Sequence, residues 1–225
     1  MVKKILTLFV VLSFIFSAAP SFAENKWDNL LIETARVFEE MTEMPEEGIP
    51  ASSIKNAYAI AIFPSVIGGG FIIGGKYGQG IVIARDGAKG SWGAPAVFNL
   101  GGASFGWQIG GQATDTVLII RNQRGLDGLL SSKFKLGGDA SVAAGPWGRD
   151  AQAATNLQLK GMIWSYSRSR GAFVGLKLAG SVMTLNNTAN KALYGGSYSS
   201  KEILLENKVK APASADRLLK DLAKY

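Results

Sequence analysis

The chain has 225 residues, 47% hydrophobic and 18% charged, with a formal net charge of +7 and neither cysteine nor histidine. That is enough apolar content for a packed core and too few charges for a disordered chain. The two zeros exclude disulfides, thiolate or imidazole metal sites, lipid attachment through cysteine, and catalytic triads built on histidine or cysteine.

Residues 1–23 read as a secretory signal. Lys3 and Lys4 make a basic start, and Ile5 to Phe16 is an apolar run too short to span a bilayer. Ser21-Phe22-Ala23 places small residues where a signal peptidase inspects them. Cleavage after Ala23 predicts a periplasmic or secreted mature chain, 24–225, of about 200 residues and one domain. No other stretch is long and apolar enough for a transmembrane helix, which leaves a soluble protein, a peripheral one, or a barrel.

Three zones follow. Residues 24–56 are helical in pattern and acidic. Trp27, Leu30, Leu31, Thr34, Phe38 and Met41 recur at helical spacing, with Glu33, Glu39, Glu40 and Glu43 on much of the remainder. Pro45 and Gly48 end this helix, and a second short one runs through Lys55. Because anionic lipid repels carboxylates, the apolar stripe is expected to pack on its own domain rather than on a membrane.

Residues 57–185 read as strands. Apolar runs such as Ala59-Ile60-Ala61-Ile62-Phe63 and Val117-Leu118-Ile119-Ile120 are short and rich in β-branched residues, and glycine pairs punctuate them. Gly70-Phe71-Ile72-Ile73-Gly74-Gly75, then Ile81-Val82-Ile83, is echoed by Gly106-Trp107-Gln108-Ile109-Gly110-Gly111, then Val117-Leu118-Ile119-Ile120. These units predict glycine-kinked hairpins in a curved antiparallel sheet, with Asp86-Gly87 as a further turn and a short helix or turn at 122–130. In 186–225 helix returns: Ser199 to Glu202 spells a capping box, and Leu218, Leu219 and Leu222 mark a last amphipathic helix. The fold class expected is α+β: a curved, mostly antiparallel, glycine-rich sheet or partial barrel flanked by N- and C-terminal helices.

Candidate chemistry is sparse. Gly70 to Lys76 matches seven positions of a phosphate-binding P-loop, but Tyr77 replaces the metal-binding hydroxyl and the following residues read as strand. Asp115, Asp127, Asp139 and Asp150 are spaced apart, each beside glycine, threonine or arginine, which suits turns and caps better than paired acid chemistry. Arg168 and Arg170 project from one strand face, with Ser167 and Ser169 on the other. With Arg149 and Lys177 they form a candidate grip for a phosphate; the competing reading is a solvated edge guarded by cations. The thin spread of positive charge excludes nucleic acid as a partner.

Several segments together resemble the SYLF domain, a lipid-binding domain also described as an actin regulator in fungi. They are Ala59 to Pro64, Gly80 to Val82, Trp92 to Ala96, Gln108 to Asp115, Ala144 to Arg149, Tyr166 to Gly171, Asn190, Tyr194-Gly195 and Glu202 to Leu204. The likeness covers about residues 50–205, and this chain reads as an exported, bacterial-type member. It implies a non-enzymatic module without cofactor or metal that binds membranes, phosphoinositides being the ligands of eukaryotic members. Actin follows by family analogy only and does not suit an exported protein. Two departures stand out: the helix at 25–43 is strongly acidic, and Ala179 stands where the family commonly has an acid. The function expected is therefore an exported module that binds anionic, phosphoinositide-like head groups through Arg149, Arg168, Arg170 and Lys177. Its alternative is a cell-envelope module that binds protein and no lipid, and an outer-membrane barrel stands third.

Overall fold

Helix α1 (Lys26–Thr42) and the short α2 (Ala51–Lys55) lead into β1 (Ala59–Ala84) in a computed structural model. It describes residues 26–44, 48–85, 90–106, 112–146, 161–169, 172–173 and 178–225. Next come β2 (Ala96–Gly106), β3 (Gln112–Ile120), α3 (Gln123–Leu129), β4 (Phe134–Lys135) and β5 (Val142–Ala144). The chain then continues through β6 (Ile163–Ser169), β7 (Ala172–Phe173), β8 (Val182–Leu185), α4 (Asn187–Tyr194), α5 (Ser200–Leu204) and α6 (Asp216–Leu222). The strands form one sheet, curled into half a barrel, in the order β4-β8-β2-β1-β3-β6-β5, with β7 beside β6. Every pairing is antiparallel except β5 with β6. The expected α+β class and the hairpin-built, curved sheet are both found.

β1 spans 26 residues; drawn straight, it would run roughly 85 Å. It doubles back instead. Arg85 N–H donates to Tyr58 O at 2.9 Å, Gly78 lies against Val66, and Gly68 lies against Lys76. The outgoing arm pairs with β3 from Ala59↔Ile120 to Gly68↔Gln112, and the returning arm pairs with β2 from Ile72↔Gly106 to Val82↔Ala96. The reversal falls in the Gly70-Phe71-Ile72-Ile73-Gly74-Gly75 run. A Cβ at Gly80 would collide with Ile62 O and the Phe63 ring, so glycine here permits the two arms to approach. The ladder with β3 slips between Phe63 and Val66, and Ser65 takes a positive φ of 54°. Pro64 has no N–H to donate, which favours a bulge at this point.

The sheet's proximal half, where β1 begins and ends, is buried on both faces. On one face Ile60, Ile62, Ile81, Ile83, Val97, Val117, Ile119 and Tyr166 meet α1, α2, α4 and α6 through Leu31, Phe38, Met41, Ile54, Ala189, Leu218 and Leu222. On the other, Ala61, Phe63, Val82, Phe98, Leu118, Ile120 and Ile163 meet Leu126 and Leu129 of α3 and Ile203 and Leu204 of α5. Double burial explains why these strands read as unbroken apolar runs rather than as alternation. The α1 stripe packs inward, as its acidic outer face predicts. Tyr225 closes edge-on against Phe38 at 6.3 Å, Ser214 Oγ donates to Asp28 at 2.6 Å, and Arg217 pairs with Glu39.

The helix ends follow sequence rules. Ser199 and Glu202 form the full capping box of α5, and Asn122 and Asn186 cap α3 and α4. Where β8 ends, Asn190 takes over the edge of β2: its amide accepts from Val97 N–H and donates to Val97 O, both at 2.9 Å. A side chain there imitates one more residue of strand.

Candidate functional site

Arg168 stands on β6 in register with Asp115 of β3, and the two share a face with the buried Tyr166 and Val117. Its guanidinium donates to Asp115 Oδ2 at 3.2 Å and to the Glu40 carboxylate of α1. Arg36 then joins Glu40 to Glu33 along the helix. Only 12% of the Arg168 side chain is exposed. Burial disfavours its charge, but hydrogen bonds to Glu40 and Asp115 outweigh that, so its pKa rises. Arg168 lowers the Glu40 pKa in turn, by a hydrogen bond that outweighs burial, and Arg36 adds to the effect. Asp115 also accepts the Ser65 N–H at 2.9 Å, holding the bulge of β1. This arrangement fastens α1 across β3 and β6 and spends the charge of Arg168 inside the fold. Arg149, Arg170 and Lys177 lie outside the described residues, as do Asp150 and the Asp86-Gly87 turn.

The other marked residues settle locally. Lys76 is buried within β1 in register with Gly102, and extended backbone continues through it, so no helix opens after the P-loop-like run. Asp127 accepts from Gln123 at 2.8 Å, and Asp139 accepts from Lys135 N–H at 2.7 Å, a turn role. Among the described residues no group of three or more Asp and Glu could hold a metal ion.

The sheet's distal half runs past the residues that build the two cores. Ile67 and Tyr77 face each other across the arms of β1, between the Val66–Gly78 and Gly68–Lys76 contacts. They are 61% and 54% exposed, the highest values among the large apolar side chains described. The Tyr77 hydroxyl donates to Asn99 Oδ1 at 3.4 Å, as do the Gln79 and Asn186 amides at 3.3 and 3.0 Å. The pair sets an aliphatic and an aromatic side chain in the open at the distal end of the sheet. Charge-based reading passed over it. Its sequence signal is an apolar residue and an aromatic at equal distances either side of the glycine turn. The partners of Arg168 left no such local signal.

A family model described as "Las17-binding protein actin regulator" (Ysc84) matches residues 101–225. An SH3 domain-containing protein of Schizosaccharomyces pombe is 38% identical over 180 residues, covering 79% of this chain and 41% of that protein. Protein YSC84 of Saccharomyces cerevisiae is 35% identical over 180 residues, covering 79% of this chain and 38% of its own length. The human SH3 domain-containing YSC84-like protein 1 is 32% identical over 199 residues, covering 86% of this chain and 57% of its own. The chain thus spans from about two fifths to under three fifths of these relatives.

Proposed function

This chain belongs to the Ysc84 family, and we propose that it is an exported, non-enzymatic module that attaches to anionic lipid head groups at a membrane surface. The observation that carries this reading is the exposed Ile67–Tyr77 pair beside the glycine-flanked reversal of β1, whose sequence is Phe71-Ile72-Ile73. An apolar end that enters the head-group layer supplies area, and cations supply attraction. Arg149, Arg170 and Lys177 are the cations assigned to the lipid; Arg168 holds α1 to β6. At about 1 kcal/mol per basic residue, three give a weak, salt-sensitive attachment. The basic and apolar start of the chain, ending at Ala23, supports export.

Co-sedimentation of chain 24–225 with phosphatidylglycerol-containing vesicles tests the reading, with phosphatidylcholine vesicles as reference. Ile67→Asp with Tyr77→Asp should reduce binding at low and high salt alike. Arg149→Glu, Arg170→Glu and Lys177→Glu together should remove the salt-sensitive part. Unchanged binding in both would refute the assignment. The partners in the family's description are proteins, Las17 and actin, and this favours one second reading, an envelope protein docked on the same distal surface. Failure to bind any vesicle, together with a cross-linked complex lost in Ile67→Asp with Tyr77→Asp, would select it.

A further inference from the structure

At the proximal end of the sheet, away from the Ile67–Tyr77 pair, a cavity of about 430 Å³ opens beside Arg85. Lys55 and Asn56 enter it from the end of α2, Tyr58 and Arg85 from the two ends of β1, and Gln123 and Leu126 from α3. Arg85 is held in place. Its guanidinium lies 4.3 Å over the Trp92 ring, one amino group donates to Gly90 O, and the other reaches Ile54 O at 3.5 Å. Stacking of this kind fixes the plane of the guanidinium, and each amino group keeps a second N–H beyond the one given to a backbone carbonyl.

Among the described residues, the charge balance of this cavity is one-sided. No carboxylate among the described residues pairs with Arg85, and its buried Nε has no acceptor. Burial lowers its pKa. Lys55 adds a second positive charge, and none of the described lining residues is acidic. The nearest described carboxylate on α3, Asp127, is engaged by Gln123 and does not line the cavity. A partly buried cation without counter-charge is costly unless a ligand supplies one.

We infer that this cavity binds a small oxyanion, a phosphate or carboxylate group carried on a compact, partly apolar body. Lys55 and the remaining amino N–H groups of Arg85 meet the charge, the Asn56 amide, one N–H of which donates to Ser52 O at 2.9 Å, offers its other N–H, and Leu126 and the Tyr58 ring take the apolar part. The site lies at the opposite end of the sheet from the proposed lipid contact, so both can be filled together and neither reading depends on the other.

Calorimetric titration of chain 24–225 with inorganic phosphate, glycerol 3-phosphate and hexanoate tests it. Saturable binding of at least one probe is expected, and the preferred probe tells phosphate from carboxylate. Lys55→Glu and Gln123→Glu, which each place a carboxylate at the cavity, should weaken that binding by about tenfold or more. Arg85→Gln should do the same; because it also removes the stack on Trp92, the two exposed positions carry the test if this variant fails to fold. Arg124→Glu, exposed and outside the cavity, should leave affinity unchanged. Absence of saturable binding for all three probes, or wild-type affinity in both Lys55→Glu and Gln123→Glu, would overturn the inference.

Discussion

Arg168 shows how one side chain can look like a ligand contact and serve as a fastener. Its partners are 53 and 128 residues away in sequence, on β3 and α1. No local pattern reports pairs at that separation, which is why the cation was legible and its engagement was not. Removing the arginine leaves two carboxylates facing each other, one of them only 18% exposed. Arg168→Met should therefore cost about 2–3 kcal/mol, short of a fully buried pair. Glu40→Gln, at a more exposed position, should cost under about 1 kcal/mol; urea unfolding measures both. The pH dependence has a definite sign. The Glu40 carboxyl is held below its ordinary value, so its contribution is complete above an unfolded pKa of about 4.3 and fades as pH falls through the lower folded value. The stability gap between the native chain and Glu40→Gln should close as pH is lowered from roughly 6 to roughly 3; a gap that stays constant would mean that the Glu40–Arg168 pair adds nothing to folding.

Among the elements, β1 best shows what can be read from a sequence and what cannot. The glycine-flanked repeat predicted hairpins, and β1 does fold back on itself, but the run at 70–73 read as an arm falls at the reversal, and the echoing run at 107–111 lies outside the described residues. The capping box of α5 and the short α3 were equally legible, because caps and turns are local chemistry. The bulge at Ser65 was signalled only by Pro64 within an apolar run, and its acceptor, Asp115, lies 50 residues on. The pairing of Ile67 with Tyr77 was legible from their equal spacing about the glycine turn, but their exposure was not, since apolar residues in the proximal arms look the same and are covered by helices. The approach of the two arms makes a sharp prediction. Gly80→Ala drives a methyl group into Ile62 O and the Phe63 ring. It should cost about 2–3 kcal/mol, read as a fall in the unfolding midpoint; an unshifted midpoint would contradict the paired arms.

At the scale of the whole molecule, the sheet works as a partition between two cores that share its backbone. Helix α1 is one wall of this arrangement, with Leu31, Val37, Phe38 and Met41 fully covered. Phe38→Ala should therefore destabilise the protein by about 3–4 kcal/mol in buffer without any membrane present, measurable by thermal unfolding. Little change would mean that the stripe is kept for another surface. The doubled-back β1 also bears on the order of assembly. The β1–β3, β3–β6 and β2–β8 pairings join residues 43 to 87 positions apart, which slows folding because distant segments must first meet. The two arms of β1 meet within a span of 26 residues, and an isolated hairpin closes in about 1–10 μs. The middle of the sheet is thus more local than the β1–β3, β3–β6 and β2–β8 pairings around it. Growth from the centre outward gives β2 and β3 a template on either side and leaves the short edge strands until last.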